Sequence, residues 1–149
     1  MKTSIQQLVA VLLNRQVANW VVLYVKLHNF HWNVNGPNFF TLHEKFEELY
    51  TEASGHIDTL AERVLSIGGS PIATLAASLE EASIKEATGG ESAAEMVSSV
   101  VNDFVDLVGE LKVARDVADE ADDEATADML DAIEAGLEKH VWMLEAFLE

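Results

Sequence analysis

Apolar residues recur every three or four positions through four long stretches of this chain, and no stretch alternates apolar and polar residues as a half-buried strand does. This periodicity is the strongest constraint on the fold, because side chains three or four apart share one face of a helix. In the first stretch Ile5, Leu8 and Leu12 begin a stripe that Trp20, Tyr24, Leu27 and His31 continue. Asn35, Gly36 and Pro37 then break it. The second helix starts between Pro37 and Thr41, with Thr41 and Glu44 spaced as a capping box. Its stripe is Leu42, Phe46, Leu49, Ala53, Ile57, Leu60, Val64 and Ile67, and Gly68, Gly69 and Pro71 end it. From Ser70 to Gly90 the pattern weakens, and only Leu75 to Leu79 reads as a short helix. The third long helix begins near Glu91, with Thr88 and Glu91 as its capping pair, and carries Val97, Val101, Phe104, Val108 and Leu111. The acidic stretch Asp119 to Glu124 turns the chain into the fourth, with Leu130, Ile133, Leu137, Val141, Leu144 and Leu148.

Short links join the first helix to the second and the third to the fourth, while a long link carrying the short helix joins the second to the third. That connectivity predicts an all-α fold, the long-crossover or ferritin-like variant of the four-helix bundle, built as one domain over residues 1–149. With 49% apolar residues the chain has material for a core. No unbroken apolar run approaches the roughly 20 residues of a membrane span. Leu8 to Leu13 lacks the basic leader and the small-residue cleavage site of a secretory signal. A cytoplasmic protein without a membrane partner is expected.

Composition also narrows the chemistry. The chain has no cysteine, so a bound metal must be held by histidine and carboxylate. Its 26 acidic residues against 9 basic ones leave a net charge of −17, which repels nucleic acid and attracts cations. Phosphate binding needs clustered Lys and Arg. Here the segment before the first helix offers only Lys2 and the amino terminus, and the C-terminal Leu148 and Glu149 add nothing basic, so no direct DNA binding is expected.

His43 and Glu47 lie four apart on the second helix, as do Asp58 and Glu62, so each pair shares a face. Both pairs flank the apolar stripe. His31 ends the first helix, and a sharp turn at Gly36 and Pro37 can bring it near His43. The fifteen residues from His43 to Asp58 span roughly 22 Å of helix, whereas metal–ligand bonds are only about 2 Å long. One straight helix therefore cannot deliver both pairs to one metal. Either the pairs are separate half-sites, or a second chain closes each site in a two-fold dimer, the favoured reading. No Glu stands three residues before any histidine, so the Glu-x-x-His elements of an intrachain ferritin or di-iron oxygenase site are missing. A bundle serving only as a scaffold would explain the stripes and leave the histidine and carboxylate spacing as coincidence.

His31-Trp32-Asn33-Val34-Asn35-Gly36, followed by Leu42-His43 and Glu47, resembles the first signature of the Dps family, or miniferritins. Ile57-Asp58-Thr59-Leu60-Ala61-Glu62-Arg63, ending in Ile67-Gly68, resembles the second. His140-Val141-Trp142-Met143-Leu144 is similar to part of that family's last helix, so the resemblance runs along essentially the whole chain. It implies a hollow dodecamer with two irons at each intersubunit site, His31 and His43 coming from one subunit and Asp58 and Glu62 from the next. It also implies oxidation of Fe(II), preferably by hydrogen peroxide or else by oxygen, and storage of the ferric product. Glu47 stands where the family often has Asp, and is the further candidate ligand. The run from Asp116 to Glu138 contains no Lys or Arg. Asp119, Asp122, Asp123 and Asp128 are candidates for an iron-entry pore, with Asp123 and Asp128 foremost. His28, His56 and His140 read as structural or supporting residues, and Trp32 and Trp142 as packing residues near the site. Arg63 is placed to pair locally with Asp58 or Glu62.

Overall fold

A computed structural model describes residues 4–149 of the chain. Every regular element among them is a helix: α1 (Ser4–Asn33), α2 (Phe39–Ser66), α3 (Leu75–Glu81), α4 (Ala93–Glu120) and α5 (Glu124–Leu148). The four long helices and the short α3 inside the crossover match the predicted architecture. Lys2 and the amino terminus lie outside the described residues.

The chain forms two helical hairpins. Gly36 adopts φ 102°, a left-handed conformation that favours glycine, and turns α1 into α2. A turn over 121–123 does the same for α4 and α5. The hairpins meet where α1 packs against α4, and α3 lies across α1. One core joins Leu13, Trp20, Leu27 and Phe30 of α1 to Phe46, Leu49 and Leu60 of α2, to Phe104 and Leu111 of α4, and to Leu130 and Leu137 of α5.

The second, third and fourth predicted stripes lie mainly on this core. The start of the first does not: Leu8 is 44% exposed, while Val9 and Leu13 are buried. Both settings satisfy helical spacing, and packing against the other helices selects the inward one. The capping expectations also move. Asn38 precedes α2 without a side-chain cap, so Thr41 and Glu44 already lie inside the helix. The capping box of α4 is Ser92 with Glu95, four residues beyond the predicted pair. Glu91 instead accepts hydrogen bonds from the Thr88 and Gly89 backbone NH groups, bracing the loop before the helix.

Polar side chains of α1 hold the crossover. Asn14 donates to the Ser70 carbonyl and accepts from the Ile72 NH. The Asn19 side-chain oxygen accepts from the Ser83 NH and hydroxyl and from the Ile84 NH, while its amide donates to Glu110. Lys26 is buried with its ammonium 2.7 Å from Asp103 and 2.9 Å from the Lys85 carbonyl. These residues also interrupt the apolar runs of α1, which concealed that the helix contains a window long and apolar enough to cross a membrane. In the fold 56% of that window is buried within the protein, consistent with a core helix.

Candidate metal centre

The turn at Gly36 lays the end of α1 against the start of α2, with the His31 and His43 rings stacked 3.7 Å apart and 13° from parallel. Each ring bonds the other's backbone: His31 Nδ1 lies 2.6 Å from the His43 carbonyl oxygen, and His43 Nδ1 lies 2.7 Å from the His31 carbonyl oxygen. A carbonyl oxygen only accepts, so both Nδ1 atoms carry the proton. In the neutral rings both Nε2 atoms are then left with a lone pair. Donation of the second ring nitrogen to a carbonyl is the support that metal-ligating histidines receive.

Glu47 stands one helical turn after His43, and its carboxylate lies 3.9 Å from His31 Nε2. His31 is buried, whereas the Glu47 side chain is 60% exposed. Phe39 stacks on the His43 ring and Tyr50 meets the His31 ring edge-on, which fixes the pair sideways. Tyr50 in turn stacks on His28 at 3.7 Å. Desolvation and the neighbouring Glu47 push the Tyr50 hydroxyl upward, keeping it protonated at neutral pH.

Asp58 and Glu62 occupy the outer face of α2, exposed, their carboxylates without a hydrogen bond or ion pair among the described residues. Arg63 pairs with neither. It turns to α5, donating to Thr126 Oγ1 at 2.9 Å and to Asp123 at 2.7 Å, because a half-buried guanidinium gains more from partners across the bundle than from an exposed neighbour. Among the described residues, no three His, Asp or Glu side chains stand preformed around one metal position.

The four acidic candidates near the α4–α5 turn differ in what they bind. Asp123 caps α5 through the Thr126 NH and holds Arg63, so both oxygens are engaged. Burial would raise its carboxyl, but these hydrogen bonds outweigh that and lower it. Asp119 pairs with Arg115 at 3.1 Å. Asp122, at φ 56°, and Asp128 are exposed without an ion pair among the described residues. Trp32 and Trp142 are 70% and 67% exposed, and Trp32 rests against His28 with ring centroids 5.2 Å apart.

A further cluster lies inside the bundle. Glu52 Oε1 is 2.9 Å from His140 Nε2, and Glu52 Oε2 is 3.1 Å from His56 Nε2. Burial alone would raise this carboxyl, but the two imidazole hydrogen bonds hold it at about 2. The i,i+4 pair Glu52-x-x-x-His56 was the available sequence signal; its link to His140, 88 residues away, was not.

Known proteins align with this arrangement along almost its full length. The profile of the Ferritin-like domain matches residues 10–149. General stress protein 20U of Bacillus subtilis is 61% identical over 135 residues, covering 91% of this chain and 93% of that protein. DNA protection during starvation protein 2 of Bacillus anthracis is 57% identical, with coverage of 91% and 93%. The crystal structure of Dps from Staphylococcus aureus superposes with a TM-score of 0.95 at 49% identity, covering 97% of each chain. The zinc-soaked structure of Dps from Listeria innocua superposes with a TM-score of 0.91 at 44% identity, covering 94% of this chain and 95% of that one. With its four long helices, the short helix of its crossover and these relatives, the chain belongs to the Dps family of ferritin-like proteins.

Proposed function

We propose that this chain is the subunit of an iron-storing ferroxidase shell, a hollow dodecamer whose reaction sites form between subunits. The observation that carries the reading is the division of α2. His31, His43 and Glu47 gather at one end with both imidazole Nε2 atoms ready to ligate. Asp58 and Glu62 stand exposed farther along, unpartnered within the described chain. A two-fold dimer in which one subunit's His31 and His43 face the other's Asp58 and Glu62 completes two equal sites at once.

Imidazole with carboxylate suits Fe(II), and hard oxygen donors accept Fe(III). At such a site two Fe(II) ions would be oxidised as substrate, with Glu47 reaching the second. With hydrogen peroxide the balanced step is 2 Fe(II) + H2O2 + 2 H2O → 2 FeOOH + 4 H+. The peroxide O–O bond breaks, each iron gives up one electron, and no hydroxyl radical is released. Oxygen is the alternative oxidant. The ferric product would be held inside the shell, consistent with iron storage and protection of the cell in its cytoplasm. For iron entry, Asp122 and Asp128 have free carboxylates, whereas Asp123 is engaged by Arg63 and Asp119 by Arg115. Asp122 and Asp128 are therefore the stronger pore candidates.

The test is anaerobic Fe(II) loading followed by peroxide, with ferric absorbance and light scattering recorded together. Rapid ferric signal within a soluble shell, near two Fe(II) per peroxide, supports the reading. Oxidation no faster than in buffer, or precipitate outside the protein, overturns it. Mixing decides whether sites are shared between chains. Reassembled shells of His31→Ala and Asp58→Ala chains should regain about a quarter of the wild-type activity: half of random dimers are mixed, and each mixed dimer holds one intact site of two. No recovery would mean each chain uses only its own residues.

The relatives named for DNA protection favour a second reading, direct DNA binding. The charge of −17 argues against it. A gel shift with chelated, metal-free protein at physiological salt should show no retardation.

A further inference from the structure

The turn between α1 and α2 holds Asn35 followed by Gly36, the one Asn-Gly pair in the chain. The backbone nitrogen after an asparagine can attack that asparagine's side-chain carbonyl carbon, and a following glycine leaves the nitrogen unshielded because it has no Cβ. A hydrogen bond to either group restrains the attack, and here neither is restrained. Asn35 is exposed, and its side chain makes no hydrogen bond among the described residues. The Gly36 NH donates to no group among them, although its carbonyl accepts from the Phe39 NH at 3.1 Å. A Cβ at Gly36 would meet nothing within 4 Å, so the space around the pair is open. Other asparagines differ. The Asn33 amide donates to the Asn29 carbonyl at 2.8 Å, and the next NH, that of Val34, is bonded to the Phe30 carbonyl. Asn38 precedes Phe39, whose NH is the one bonded to Gly36. Asn102 is exposed but lies inside α4, where the following NH belongs to the helical ladder.

We propose that Asn35 is a site of spontaneous deamidation, and that its isoaspartate product loosens the turn that holds His31 against His43. The Gly36 nitrogen loses its proton and bonds to Asn35 Cγ. The Cγ–Nδ2 bond breaks, and ammonia leaves with that proton, closing a cyclic succinimide. Water opens the ring at either carbonyl, giving aspartate or isoaspartate at position 35. No oxidant or reductant takes part. Both products carry a new negative charge. Isoaspartate also lengthens the main chain by one carbon. Only residues 34–38 separate α1 from α2, and the two histidines bond each other's backbone at 2.6 and 2.7 Å across that turn. An added backbone carbon in so short a link shifts one helix end against the other. The inference concerns the hairpin itself and does not rest on the ferroxidase reading.

The test ages the full-length protein in metal-free buffer at physiological temperature and pH, then digests it in mild acid. Fragment spectra should place the mass gain of NH2 replaced by OH at position 35, with Asn33 and Asn102 lagging far behind. Labelling by an isoaspartyl methyltransferase should rise in parallel. Asn35→Gln should lose both signals, and Asn35→Ser serves if that variant folds poorly. Deuterium exchange over residues 31–43 should be faster in aged chains than in fresh Asn35→Asp chains, which carry the charge without the extra carbon. No conversion in the folded protein, or conversion spread evenly over the asparagines, overturns the site. Equal exchange in aged and Asn35→Asp chains overturns the effect on the turn.

Discussion

Glu52 and Asp58 lie on the same helix, fewer than two turns apart, and have opposite circumstances. Glu52 faces the bundle, and each of its oxygens accepts a hydrogen bond from a histidine. Asp58 faces outward and has no partner among the described residues. The same division runs through the other polar groups. Asp103, Glu110 and Asp123 are tied to Lys26, Asn19 and Arg63, whereas Glu62 and Asp128 are exposed and form no ion pair among the described residues. A carboxylate satisfied by its own chain supports the fold. One left exposed and unpartnered on the outer face of its helix is available to a cation or a second subunit.

The largest expected effect tests the satisfied class. Lys26→Met leaves Asp103 buried without its cation and should destabilise the subunit by about 3–5 kcal/mol. Burial already raises the Asp103 carboxyl despite Lys26. The double variant Lys26→Met/Asp103→Leu should recover most of the loss in denaturant titrations at fixed subunit concentration. An equally large loss in both would show that Lys26 acts through packing alone.

Asn19→Ala should cost about 1–3 kcal/mol, because the Ser83 and Ile84 NH groups lose their acceptor. Protease cleavage between α3 and α4 should speed up with it, and unchanged cleavage would show the crossover is held elsewhere.

Glu52→Gln gives a smaller effect with a distinct pH signature. The folded-state value of about 2 lies below the ordinary 4.5, so ionised Glu52 stabilises the fold above about 4.5. That contribution is lost as pH falls toward about 2. The stability deficit of the variant should therefore be full at neutral pH and narrow across this acid window. A deficit independent of pH would assign it to packing.

The smallest effect tests the other class. Asp58→Asn and Glu62→Gln should change subunit stability by less than about 0.5 kcal/mol. Under the ferroxidase reading they should still abolish rapid iron oxidation. A large stability loss would show that these carboxylates have structural partners in the assembled protein.

Much of this was legible in the sequence. The stripes around Phe46, Phe104 and Leu137 mark the core, and the break at Gly36 places His31 near His43, because local periodicity and turn chemistry act over a few residues. The reciprocal Nδ1 bonds of the two histidines were not legible, since they depend on the angle at which α2 leaves the turn. Nor were the partners of Arg63, His56 and His140. In sequence Arg63 stands beside Glu62, but in the fold its partner is Asp123, which removes a leading pore candidate from the free carboxylates.

The sequence by itself determined the helices, their order and the spacing of the candidate ligands, because helical periodicity and backbone-breaking residues operate locally. It also excluded thiolate chemistry and set the acidic charge. Only the tertiary structure decided that Val9, not Leu8, faces the core, that His31 and His43 present Nε2, and that Glu52 joins two histidines inside the bundle. The reason is physical: a side chain's burial, tautomer and hydrogen-bond partner depend on groups brought near by packing, and those groups lie up to 94 residues away along the chain.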